Sequence, residues 1–320
     1  MDIEAGTLVT PSVRLLRPLG QGGMGSLWVA EHLVERKEVA VKFVDRDLAE
    51  EDPKILERFD REAEVLAQLD SPHVVRLYER GMLPDGRTPF IVMELLHGET
   101  LVERVERLGQ LPLPTMGFLV SQLATVLTYV HSINIIHRDL KGENVFLLGG
   151  DEQPLVKLLD FGLAKAPGTP GQKMLTGIGT MVGTAEYMSP EQIVSAKDVD
   201  ARADLWAFGV LVYVALLAAL PFRGKGNAEM FLAIRTAQYE PASALREGLP
   251  PAVDAWFAKA FHMDIAERFA TAAEMNDAWQ RAVTAEPVEA APLEPRRPAW
   301  LAGAAALGLL VLAAVVYAML

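Results

Sequence analysis

Asp139 and Asn144 stand five residues apart in the run His137-Arg138-Asp139-Leu140-Lys141-Gly142-Glu143-Asn144, and Asp160-Phe161-Gly162 follows sixteen residues after Asn144. A carboxylate, an amide and a second carboxylate in this order suit one chemistry. An acceptor hydroxyl needs a carboxylate to orient it, and nucleotide phosphates need Mg²⁺ held by nearby oxygen ligands. Asp139 is the candidate for the first role, and Asn144 and Asp160 for the second. The fold must therefore bring these three side chains to one cleft.

On the usual domain size, 320 residues hold either two compact units or one bilobal body of roughly 270 residues with a tail, and the second is expected here. A net charge of −12, with no cluster of Lys and Arg, leaves nothing to neutralise a phosphate backbone, so nucleic acid is not expected as a partner. The chain has no cysteine, which removes disulfides, thiolate nucleophiles and Cys-bearing zinc sites and suits a reducing compartment. His32, His73, His97, His131 and His262 show no metal-ligand spacing and read as surface or structural residues.

The two ends differ in character. Met1 to Gly6 is acidic and lacks the basic-then-apolar order of a secretory signal, so the folded body is expected to stay where it is made. From Ala299 to Leu320 every residue is apolar, Gly, or the interfacial Trp300 or Tyr317, and a bilayer-spanning helix needs about 20 such residues. A transmembrane helix is expected over 299–320. A buried globular helix is the competing reading, but apolar character on all faces leaves no side for water. Arg296 and Arg297 just before the span place the preceding body on the cytoplasmic side. Residues 284–298, rich in Pro, Ala and Glu, read as a semi-rigid linker. Leu205 to Leu220 is also apolar, but it begins beside Asp204 and stops at Pro221, as a core helix would. Asp204, costly to bury alone, should accept hydrogen bonds from a nearby loop.

Three runs alternate and favour β-branched residues: Val13 to Leu16, Leu27 to Ala30 and Val39 to Val44. They read as antiparallel strands. Between the first two lies Leu19-Gly20-Gln21-Gly22-Gly23-Met24-Gly25, and Asp45 follows at about the distance at which a dinucleotide-binding domain carries its ribose acid. That alternative fails on context, because such a turn opens a helix whereas Ser26-Leu27-Trp28-Val29 continues as strand. The glycines are then a hairpin tip whose backbone can close over phosphates. From Pro53 a helix carries Ile55, Phe59, Glu62, Leu66 and Leu69 on one stripe. Glu62 in that stripe asks for a cation: Lys42, in an equally apolar strand, or Arg58 or Arg61 at the surface. Phe90 to Gly98 reads as a strand running into a turn, and the hinge between two lobes is placed there. Helices are predicted beyond it, over 114–133, 203–220, 227–237, 251–261 and 272–283.

Gly20/Gly22/Gly25, Val39-Ala40-Val41-Lys42, Glu62, His137 to Asn144, Asp160-Phe161-Gly162, Ser189-Pro190-Glu191, Asp204 and Arg268 together resemble the protein-kinase signature set, in order and over most of the chain. The Gly-rich loop and the C-terminal span resemble the bacterial, eukaryotic-like Ser/Thr kinases anchored in the inner membrane. The resemblance implies an α+β bilobal protein kinase fold: a tail (1–10), a small β-rich N-lobe with one long helix (11–96) and a larger helical C-lobe (97–283), then the linker and span. It implies an ATP- and Mg²⁺-dependent protein kinase with protein substrates, a cytoplasmic catalytic domain and a transient homodimer for trans-autophosphorylation.

Carried over residue by residue, the resemblance gives Lys42 the α- and β-phosphates, with Glu62 fixing Lys42, and makes Asp139 the base. Lys141 would neutralise the moving phosphoryl group, and Asn144 and Asp160 would bind Mg²⁺. Leu19 to Gly25 would cover the phosphates. Glu94 and Leu96 would offer backbone groups to adenine, with Leu27, Ala40 and Phe146 on its faces and Met93 as gatekeeper. His137 would support Phe161, and Glu191 and Arg268 would form a buried ion pair. Arg138 would await a phosphate on the segment from Asp160 to Glu191, with Thr176 the favoured site and Thr180 the next. Three positions depart from the family pattern: Leu27 for Val, Gly142 for Pro and Ser189 for Ala. Gly142 is expected to loosen the catalytic loop. The alternative is a nucleotide-binding pseudokinase scaffold at the membrane.

Overall fold

The computed structural model describes residues 3–22, 25–45, 54–161, 185–194 and 199–285. The chain parts into two units, Met1–Thr284 and Ala285–Leu320, and every described strand and helix lies in the first. The expected span over 299–320 and nearly all of the linker, together with Gly23, Met24, Gly162, Thr176 and Thr180, lie outside the described residues.

The N-terminal part forms one antiparallel sheet from β1 (Leu8–Thr10), β2 (Val13–Gly22), β3 (Gly25–His32), β4 (Lys37–Val44), β5 (Leu77–Met82) and β6 (Pro89–Glu94), in the order β1-β2-β3-β4-β6-β5. Alternation decides what each face carries. Val39, Val41 and Phe43 of β4 join Val13, Leu15, Phe90 and Val92 in an apolar cluster on one side. Ala40 and Val44 join Phe59, Ala63 and Leu66 of helix α1 (Lys54–Leu66) on the other. Lys42, lying between Ala40 and Val44, is carried to the α1 side by the same period. The glycine-rich segment is the β2–β3 hairpin, with Gly22 paired to Gly25. Gly25 has φ 157°, and a Cβ there would run into the Phe43 carbonyl of β4.

Beyond Glu94 the chain leaves this sheet, and at Gly98 it enters another. The second sheet has β7 (Gly98–Thr100), β8 (Val145–Leu148) and β9 (Leu155–Leu158) in that order. The remainder is helical: α2 (Leu101–Leu108), α3 (Leu113–Ser132), α4 (Pro190–Val194), α5 (Arg202–Leu217), α6 (Asn227–Thr236), α7 (Ala242–Leu245), α8 (Pro251–Ala260) and α9 (Ala272–Thr284). This is the expected β-rich lobe with one helix and a helical lobe, with one addition. The strands of the second sheet are too short to show alternation in sequence, so only helices were predictable there.

α5 is the axis of the helical lobe, buried on every side from Ala203 to Leu217. It stops three residues before the predicted Leu220, because Ala218 adopts a left-handed conformation (φ 52°) with its N–H bonded back to Val214. Trp206 packs on Phe222 and Phe261 at centroid distances of 5.2 Å. Each such aromatic, once buried, contributes about 1.5–3 kcal/mol. α3 is the one helix among the described residues long and apolar enough to cross a membrane, yet it is half buried and packs against α9 and α5. Arg268 lies over Trp206 and donates twice to Glu191, at 2.8 and 3.0 Å, the expected ion pair.

Asp204, in the first turn of α5, is 1% exposed. Its carboxylate accepts the backbone N–H groups of His137 and Arg138, each at 2.8 Å, and bonds to His131 Nε2 at 2.8 Å. Burial pushes its pKa up, and the His131 bond and the neighbouring donors outweigh burial, holding it below the usual carboxylate value. A depressed folded pKa stabilises fully above the unfolded value of about 4, and that contribution is lost as pH falls through the folded value. Asp204→Asn should cost roughly 2–3 kcal/mol at pH 7, the order of hydrogen bonds to a charged group. The gap to wild type should narrow on acidification towards pH ~3. Denaturant unfolding across that range checks it, and a gap that stays constant would contradict this account of Asp204.

Candidate active site

The loop after α3 is held from below by Asp204, and each of its side chains then has a defined partner. His137 is fully buried, with its ring 4.7 Å from that of Phe161. Its Nε2 lies 3.1 Å from the Leu159 carbonyl, and its Nδ1 accepts the Asp139 N–H at 3.3 Å. That network assigns the proton to Nε2 and leaves no free base on the ring. Arg138 sits at φ 67°, a left-handed conformation costing of order 1 kcal/mol in a non-glycine residue. The two N–H bonds to Asp204 hold the backbone there.

Asp139 Oδ2 is 3.1 Å from Lys141 Nζ and 3.4 Å from Asn144 Nδ2. Asn144 also donates to the Asp139 carbonyl at 2.8 Å, so its amide nitrogen faces the loop and its oxygen is left for a ligand. Asp139 Oδ1 is buried with no hydrogen-bond partner among the described residues. Asn144 closes the short 3₁₀ turn Gly142–Asn144, and its carbonyl accepts the N–H of Leu159, the residue before Asp160, at 2.9 Å. One backbone bond and one side-chain amide of Asn144 thus link the Asp139 loop to the residue that precedes Asp160. Asp160 has φ 54° and adjoins the Lys42–Glu62 pair electrostatically.

Gly142 is buried. A Cβ there would stand 2.6 Å from Val102 Cγ2 of α2 and 3.2 Å from the Tyr187 hydroxyl. Those side chains pack where a proline ring would lie, which works against the loosening expected of a glycine.

Lys42 Nζ bonds to Glu62 Oε2 at 2.6 Å, so the strand lysine, not a surface arginine, is the partner of the buried glutamate. Burial pulls the Lys42 pKa down, but Glu62 and Asp160 more than offset it, and the ammonium is held above its ordinary range. Burial pushes the Glu62 carboxyl up, with Asp160 adding to it against the pull of Lys42. A cation flanked by two carboxylates is a ready partner for further anionic oxygens only where a second cation balances the charge. Asn144 and Asp160 offer oxygens alone, which suits Mg²⁺, an ion that takes one or two protein oxygens and completes its shell with phosphates and water. Among the described residues no group of three or more His, Cys, Asp or Glu would hold a metal by itself.

The expected nucleotide-lining residues that are described lie on the two sheets and on the segment that joins them. Leu27 lies opposite Lys42, Gly20 opposite Leu27, Gln21 opposite Ser26 and Ala40 opposite Met93. Leu19 is exposed, Leu96 lies on the segment between β6 and β7, and Phe146 is on β8. Glu94 has a role beyond its expected backbone contact with adenine. Its N–H donates to the Arg76 carbonyl at 2.9 Å, and its carboxylate takes Lys157 Nζ of β9 at 2.6 Å. Lys157 is 7% exposed and was detectable as the lone cation in the apolar run Leu155-Val156-Lys157-Leu158-Leu159. The pair ties the end of the first sheet to the second.

Residues 13–280 match the protein kinase domain family. The chain is 42% identical over 66% of its length to serine/threonine-protein kinase pkn2 of Myxococcus xanthus, covering 25% of that protein. It is 34% identical over 88% of its length to serine/threonine-protein kinase PknH of Mycobacterium tuberculosis, covering 44% of it. It is 35% identical over 85% of its length to PknB of the same species, covering 43%. The chain thus spans between a quarter and just under half of these relatives. With the site geometry above, these similarities show that the chain belongs to the protein kinase family, in its bacterial, eukaryotic-like serine/threonine branch.

Proposed function

We propose that this domain transfers the γ-phosphoryl group of ATP to serine and threonine hydroxyls of proteins. The observation that carries the reading is the bonded group Asp139, Lys141 and Asn144, joined through Leu159 to Asp160. Asp139 Oδ1 is the atom left to accept the hydrogen of an incoming hydroxyl, while Oδ2 is committed to Lys141. The base orients the nucleophile and takes its proton late, as bonding to phosphorus forms. Lys141 stands beside it to neutralise charge on the moving phosphoryl oxygens. Lys42, fixed by Glu62, holds the α- and β-phosphates. Asn144 and Asp160 are the residues to hold Mg²⁺, which supplies charge neutralisation on the triphosphate. Leu19 to Gly25 cover the phosphates, and Leu27, Ala40, Met93, Leu96 and Phe146 enclose the base. Asp139→Asn should lower kcat on a generic peptide by about 10²–10⁴-fold with ATP affinity retained. Labelled-phosphate transfer beside nucleotide titration measures both; transfer by the variant at the wild-type rate would favour a scaffold in which Asp139 has no chemistry.

Activation is read from Arg138. Among the described residues its buried Nε has no partner and its Nη2 reaches only the Val199 carbonyl, at 3.4 Å. Burial pulls its pKa down, Asp204 opposes this and Arg61 adds to it, so a second cation stands near. Such a group invites a phosphate, and autophosphorylation in trans at Thr176 or Thr180 would deliver one. The double variant Thr176→Ala/Thr180→Ala should lose most of the activity that wild type gains on preincubation with Mg-ATP. Mass spectrometry should find the phosphate on one of the two; full activation of the double variant would rule both out.

The apolar stretch 299–320 and the linker before it support a single-pass anchor in the inner membrane, with the kinase domain on the cytoplasmic side. A protein ending at Pro298 should leave the membrane fraction for the soluble one with its peptide-kinase activity intact. A truncated protein that still pelleted with membranes would count against the anchor.

A further inference from the structure

Ser189-Pro190-Glu191-Gln192 opens α4 with the S-x-x-Q order of a capping box. The geometry agrees. Gln192 Oε1 accepts the Ser189 N–H at 3.0 Å, and Ser189 Oγ accepts the Gln192 N–H at 3.4 Å. Ser189, one of the three departures from the family pattern, thereby gains a physical role that alanine could not fill. The other end of the same amide does something a cap does not require: Gln192 Nε2 donates to the Arg138 carbonyl at 3.0 Å. Because one neighbour is an N–H and the other a C=O, only one orientation of the amide satisfies both.

The peptide between Arg138 and Asp139 is therefore gripped on two sides. Asp204 takes the N–H groups of His137 and Arg138 from the α5 side. Gln192 takes the carbonyl of Arg138 from the α4 side. Arg138 carries the left-handed backbone, so the direction in which Asp139 leaves the loop depends on both grips. Among the described residues, Gln192 joins the residue before α4, where the activation segment ends, directly to the residue before the base.

We propose that Gln192 is a positioning residue for Asp139, coupling the end of the activation segment to the catalytic loop. The proposal rests on the phosphotransfer role given to Asp139 above. Glutamate separates this role from capping, because a carboxylate serves a capping box equally well but presents an acceptor to the Arg138 carbonyl. Gln192→Glu, which keeps the cap, should melt above Gln192→Leu and keep the wild-type KM for ATP, and lose about fivefold to tenfold in kcat on a peptide, the order of one hydrogen bond. Gln192→Leu, which removes both functions, should lose stability as well as kcat. A Gln192→Glu protein with wild-type kcat overturns the proposal, as does one whose melting temperature falls as far as that of Gln192→Leu. Wild type assayed in parallel keeps the two readings apart, since an inactive wild type would fail the kinase reading rather than the role of Gln192.

Discussion

The buried carboxylate of Asp204 is the contact on which the active site rests. It is an anion inside a helix buried on every side, and it is tolerable there only because three donors converge on it. Two of those donors are consecutive backbone N–H groups of the catalytic loop, so the charge that α5 must satisfy is satisfied by fixing the loop. Arg138 can hold its left-handed backbone because the peptides around it are bonded, and Asp139 follows from it. Hydrophobic burial of α5 and placement of the base are thus one event rather than two.

A second charge problem is solved across the N-terminal sheet and its helix. Lys42 is delivered to the α1 side by strand alternation, and Glu62 meets it from α1 at 2.6 Å. Both stand close enough to Asp160 for its charge to act on them. The Glu94–Lys157 pair and the bridge between Val74 and Leu158 tie the same region to the second sheet. The part of the molecule that would hold phosphates and the part that carries Asp139 are joined by partly buried polar contacts, each stronger than it would be in open water.

Much of this was legible in the chain because the relevant signals are local. Alternation in Val39 to Val44 placed Lys42 on a face, and the apolar stripe of α1 placed Glu62 on another, so their meeting needed only the packing of one helix on one sheet. Asp204 at the head of an apolar run had to find donors. Short elements gave no such signal: β7, β8 and β9 are three or four residues each, and their pairing depends on partners far away in sequence. Lys157 stood out by composition, but its partner Glu94 is fixed only when the two sheets come together. Gln192 carries a capping signature whose second bond depends on where α4 docks.

From sequence alone came the chemistry and its cast: a carboxylate base, oxygen ligands for a divalent cation, a buried lysine–glutamate pair and a glycine hairpin, because each is written in residue type and near-neighbour spacing. Tertiary structure decided which atoms remain available. It committed Asp139 Oδ2 to Lys141 and left Oδ1 without a partner, turned the Asn144 amide so that its oxygen stays open, filled the space beside Gly142 with Val102 and Tyr187, and gave Gln192 a carbonyl to hold. Those outcomes depend on distances between segments distant in the chain, which packing sets and local spacing cannot.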